Sequence, residues 1–153
     1  MNRTLLLDDA IWRSLTISAR QALPREVGGI LLGYYTVEGP RVVAAPVVPD
    51  PRATRIRYRR DAEAAGRILA ACQQDDSTNL LGYLGEWHTH PLPIGPSSAD
   101  LLSVRRLAED GGHDVALVVL ALRLLRWEIH VRNATPAGTV QTVPVSVEGG
   151  QHE

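Results

Sequence analysis

Residues 80 to 101 read Leu80-Leu81-Gly82-Tyr83-Leu84-Gly85-Glu86-Trp87-His88-Thr89-His90-Pro91-Leu92-Pro93-Ile94-Gly95-Pro96-Ser97-Ser98-Ala99-Asp100-Leu101. The first half has the composition of a strand, and strand side chains alternate between faces, so His88 and His90 point the same way. Gly95 and Pro96 turn the chain. Ser97 to Asp100 followed by Leu101, Leu102 and Val104 then reads as a helix start, which returns Asp100 toward the end of the strand it has just left. Two imidazoles and one carboxylate facing one point make a three-ligand metal site with a fourth position open, the catalytic arrangement for zinc rather than the structural one. Ser97 and Asp100 also have the spacing of a capping box, with Asp in place of Glu or Gln. Capping and ligation are compatible.

Upstream, Arg25-Glu26-Val27-Gly28-Gly29-Ile30-Leu31-Leu32-Gly33-Tyr34 places a carboxylate just before an apolar, glycine-rich strand. Together, Glu26, His-Thr-His-Pro and Ser-x-x-Asp resemble the JAB/MPN metalloenzymes, the JAMM zinc isopeptidases. The resemblance follows the order of elements from about residue 8 to 133, and its specific part is five residues. It implies one zinc per chain on His88, His90 and Asp100, with Glu26 as general base and Ser97 as a helper at the oxyanion. Six residues separate His90 from Ser97 where the family usually has seven, so Ser98 remains an alternative to Ser97. The implied fold is α/β (α+β): a central mixed β-sheet flanked by helices, cytidine-deaminase-like.

At 153 residues the chain is long enough for one domain with a real core, and 44% hydrophobic with 22% charged residues is ordinary for a globular protein. We expect a single domain over 3–147 and a disordered tail over 148–153. No run approaches the roughly 18 apolar residues of a membrane helix, and the start lacks a signal-peptide pattern. The expectation is a cytoplasmic protein without membrane contact. Cys72 is the single cysteine, so no intrachain disulfide can form. It falls on a helical stripe with Ile68 and Leu69, where an inert, buried thiol is expected.

The formal net charge is −1, which argues against a surface built for nucleic acid. All sixteen basic residues are arginine. Several lie in Arg52 to Arg60, where an extended segment would put Arg55, Arg57 and Arg59 on one face opposite Ile56 and Tyr58. That stripe reads either as an edge strand kept soluble by charge or as a docking surface for an acidic substrate.

The remaining chain falls into order around these features. Residues 3 to 7 read as a first strand. Asp8-Asp9 caps a helix with Ile11, Trp12, Leu15, Ala19, Ala22 and Leu23 along one stripe, stopped by Pro24. Glu26 to Val37 and Arg41 to Val48 form a central hairpin, and Asp61 to Gln73 a second helix. Glu86 shares the parity of the histidines and reads as a supporting group rather than a ligand. The helix from Ser98 stops at Gly111-Gly112. Val115 to Leu122 is an unbroken apolar strand, and Arg126 to Arg132 alternates with Trp127, Ile129 and Val131 on one face. His130 then faces the surface, His113 lies in a turn, and one last strand spans Thr139 to Val147.

The form Gly-Glu-Trp-His-Thr-His-Pro is similar to compact bacterial members linked to ubiquitin-like conjugation modules, some of them in anti-phage defence. The resemblance implies cleavage after the Gly-terminated tail of a ubiquitin-like protein, with activating and conjugating enzymes of the same system as further partners. The alternatives are an amide hydrolase for a small or sulfur-carrier conjugate, a non-catalytic scaffold, and, last, a nucleic-acid protein resting on the arginine segment alone.

Overall fold

The computed structural model describes residues 3–149. Along the chain run β1 (Leu5–Asp8), α1 (Asp9–Ala22), β2 (Gly28–Tyr35), β3 (Pro40–Ala44), α2 (Ala62–Asp75), β4 (Gly82–His90), α3 (Ser98–Gly111), β5 (Val115–Arg123), β6 (Arg126–Ala134), β7 (Val140–Thr142) and β8 (Val145–Glu148). The strands form one mixed sheet in the order β7-β6-β5-β4-β2-β3-β1-β8. β4 lies between antiparallel β2 and parallel β5, so the ligand strand sits near the middle of the sheet.

Two faces are covered, as the sequence periodicities require. The α1 stripe of Ile11, Leu15 and Ala19 packs with Leu31, Trp87, Val118 and Leu120 on one face. On the other, α3 covers Val115, Leu117 and Val119 through Val104 and Ala108, while α2 covers Ile30 and Leu32. β5 is buried on both sides, which is why its sequence is continuously apolar rather than alternating. On β4 the same alternation sends Trp87 to the α1 face and leaves Glu86, His88 and His90 to the other.

The helix ends follow the sequence signals. Asp8 caps α1 by accepting from the Ile11 N–H, and Asp61 caps α2. α3 ends at Gly112 with φ of 71°, a left-handed conformation that glycine adopts without strain. Cys72 is half-buried against the α2 cluster. No helix among the described residues is long and apolar enough to cross a membrane.

Three expectations need correction. The single strand over Thr139 to Val147 is two strands, because Pro144 has no N–H with which to continue a ladder. β7 joins β6 and β8 joins β1, at opposite ends of the strand order but two residues apart in the chain. The sheet therefore curls round until its edges nearly meet, held by Val143 N–H to the Val131 carbonyl and Leu5 N–H to the Pro144 carbonyl. Secondly, Arg52 to Arg60 forms no strand: the Asp50 carboxylate accepts from the Arg52 and Arg59 N–H groups and folds the segment back on itself. Arg55, Arg57 and Arg59 are exposed there, as is Ile56. Thirdly, Glu148, expected in a disordered tail over 148–153, belongs to β8 and pairs with Asp8; residues 150–153 lie outside the described residues.

Candidate metal centre

β4 delivers the two histidines and α3 the carboxylate. His88 pairs in register with Gly28 of β2 and Val119 of β5, which fixes its strand position from both sides. The His88 and His90 rings lie 5.0 Å apart. His88 Nε2 is 3.2 Å from Asp100 Oδ1, and His90 Nε2 is 3.3 Å from Asp100 Oδ2. One ligand atom from each of the three residues lies within 4.8 Å of the others. Two imidazole nitrogens and a carboxylate oxygen, converging at that spacing, can hold a metal ion.

Asp100 caps α3 while facing both histidines. Its Oδ2 accepts from the Ser97 N–H at 2.8 Å, while Ser97 Oγ accepts from the Asp100 N–H at 3.1 Å, closing the capping box at the start of α3. Burial alone would raise the carboxyl pKa, but hydrogen bonds from His88 and His90 hold it far below the usual range. The six-residue loop is absorbed locally: His90 Nδ1–H donates to the Ile94 carbonyl at 2.8 Å, which leaves Nε2 to face the site. Burial pulls the His90 pKa down, yet the bond to Asp100, the Ile94 carbonyl and the charge of Glu26 together raise it.

Glu26 precedes β2 and is 8% exposed, not the exposed strand-end carboxylate its position in sequence alone would suggest. Its Oε1 lies 3.8 Å from His90 Nε2. Burial raises its pKa; the two histidines lower it and Asp100 raises it further. What places it is Thr89, fully buried between the histidines on the opposite face. Thr89 Oγ1 accepts from the Val27 N–H at 3.0 Å, and the Thr89 N–H donates to the Val27 carbonyl at 2.9 Å. The Glu26 N–H in turn donates to the Thr54 carbonyl at 2.8 Å, tying the arginine segment to the site.

Tyr58 completes the wall. Its hydroxyl donates to the Val48 carbonyl at 2.7 Å, and its ring stacks 6.5 Å from that of His88. Gly28 makes this possible, since a Cβ there would fall 2.5 Å from the Tyr58 ring. Sequence reading singled out neither Tyr58 nor Thr89 for the site. Their parity, opposite to the neighbouring arginines and histidines, was the available signal.

Glu86 is not among the ligands. It accepts from the Tyr83 hydroxyl at 2.5 Å and pairs with Arg60. Burial pushes its pKa up to about 7, against the opposing pulls of Tyr83 and Arg60. A carboxyl raised from 4.5 to about 7 on folding stabilises the native state below about pH 4.5 and loses that contribution as pH rises through 7. We expect the urea midpoint to fall from pH 5 to pH 8 in the wild type and to change less in Glu86→Gln; equal slopes would remove Glu86 as the cause.

His130 is half-buried beneath Gly95, rather than on the open surface, and lies 3.9 Å from Glu128. His113 stands edge-on to Tyr83. Neither approaches the ligand set.

The donor set opens on a groove of about 320 Å³, walled by Arg55, Ile56 and Arg57 on one side and by Leu92 and Ile94 on the other. Comparison with solved structures finds the solution structure of protein DSY2949 from Desulfitobacterium hafniense, at 22% identity over 97% of each chain with a TM-score of 0.69. That similarity supports the fold. Comparison with curated proteins finds no match. The family described as prokaryotic homologs of the JAB domain matches residues 8–132, a span that runs from the cap of α1 through Glu26, His88, His90 and Asp100 into β6. With residues 8–132 matched, most of its length, the chain belongs to the prokaryotic JAB-domain family.

Proposed function

We propose that the chain is a zinc-dependent isopeptidase or peptidase that cuts after the C-terminal glycine of a ubiquitin-like modifier in the cytoplasm. The observation that carries this reading is the buried Glu26 carboxylate, 3.8 Å from His90 Nε2 and beside a three-donor set. A carboxylate kept there against its desolvation cost is the group that proton transfer at such a site requires, which favours an enzyme over a non-catalytic scaffold.

Zinc on His88, His90 and Asp100 would supply a Lewis acid for the amide carbonyl and an acidified water. Glu26 takes a proton from the attacking water and passes it to the leaving amine. Ser97 Oγ is occupied as an acceptor by the Asp100 N–H, so its own proton is free to donate to the developing oxyanion. Glycine at the scissile position suits the walls, because the Tyr58 ring stacks against His88 and narrows the approach to the ligands. Modifier conjugates and precursors, with the activating and conjugating enzymes that make them, are the corresponding partners. Arg55, Arg57 and Arg59 are exposed and would meet an acidic surface on such a substrate.

The test is cleavage of a modifier-like fusion with a Gly-Gly junction by the zinc-loaded chain, with and without a chelator. Chelator-sensitive release of the C-terminal fragment is expected. A zinc-loaded chain that cleaves neither protein fusions nor short Gly-Gly amides is a scaffold. Ser97→Ala should lower turnover roughly 10-fold or more and, as loss of a cap, destabilise by about 1 kcal/mol. Ser98→Ala should change either little. The reverse ranking would hand the oxyanion role to Ser98.

A further inference from the structure

A second cleft, of about 350 Å³, reaches His88 and Asp100 from the side away from Glu26. It runs between α3 and the Tyr58–Arg60 segment, over a floor of Val104, Leu107 and Leu117. Its walls carry Arg59 and Arg106, which have no carboxylate partner among the described residues. The Glu86 charge is answered by Arg60, and Asp100 is committed to the histidines. Asp110, one turn beyond Arg106, is left as a single uncommitted carboxylate against two guanidinium groups.

We propose that this cleft holds the acyl side of the substrate and that Arg106 and Arg59 select an acidic side chain about three residues before the scissile carbonyl. The assignment of sides rests on the function proposed above. Glu26 delivers the proton to the leaving amine, and Glu26 lines the groove with Ile56 and Leu92 rather than this cleft. The amine therefore leaves on that side, and the acyl chain lies on the other. Arg106 stands six residues along α3 from Asp100, about 9 Å at the helical rise. An extended chain covers that distance in about three residues. An arginine at this point offers a planar, two-pronged donor to a carboxylate and repels a basic residue. The substrate tail is thus acidic near its end, and a tail with arginine there is disfavoured.

Two fluorescein-labelled peptides with free Gly-Gly ends, differing only in Glu or Arg third from the carboxyl terminus, test this by fluorescence anisotropy on the full chain, with and without zinc. The Glu peptide should bind about tenfold tighter or more at low salt, with the gap narrowing as salt rises. The double variant Arg59→Glu, Arg106→Glu should reverse the order while keeping the wild-type circular dichroism. Equal binding, binding of neither peptide, or an unchanged preference in the folded variant overturns the proposal. If the Glu preference holds but the fusion is not cleaved, the hydrolase reading fails and the cleft stands. Cleavage of fusions without any charge preference has the opposite meaning.

Discussion

His88→Ala will leave the purified chain nearly free of metal, where the wild type carries about one zinc per molecule by elemental analysis. His88 supplies one of three donors, and His90 and Asp100 alone form an incomplete set. Losing a direct ligand must cost more than the roughly 10–100-fold that loss of a supporting partner costs. The strand itself should survive, because its register is held by backbone pairing with β2 and β5 and by Trp87 and Thr89 on the other face. The variant is therefore expected to fold, to bind little zinc after reconstitution, and to be inactive. Wild-type zinc content in His88→Ala would break the ligand assignment.

Glu26→Ala separates chemistry from binding. Glu26 approaches the site but stands apart from the three donors, so this variant should keep its zinc and lose turnover by about 10²- to 10⁴-fold. Glu26→Gln, which keeps the side-chain shape, should do the same. Metal loss in Glu26→Ala would make Glu26 a ligand, and undiminished turnover would remove it from the reaction.

The centre of the fold was legible because its signals are local. Alternation puts His88 and His90 together, and Ser97 with Asp100 writes the helix start, so the candidate ligand set can be read from the thirteen residues His88 to Asp100. Glu26 was legible only through family resemblance. What places it is a pair of bonds between Val27 and Thr89, 62 residues apart, which no local pattern encodes. The arginine segment misled for a related reason. Its alternation is that of a strand, but alternation says nothing of whether a neighbouring edge is available, and Asp50 satisfies its backbone instead. Pro144 was a visible break in the last strand, yet a break does not say that the two halves part to opposite edges.

That parting bears on synthesis. β1 emerges from the ribosome before both of its neighbours, and one of them, β8, is made only after all the other strands. The hairpin of β2 and β3 and the ligand strand β4 can pair while translation continues. The long-range contact between residues 5–8 and 145–148 must wait until β8 has emerged. A nascent chain thus carries the strand of the two histidines already paired while the seam at the other end of the sheet order stays unzipped, and that seam closes only when β8 arrives.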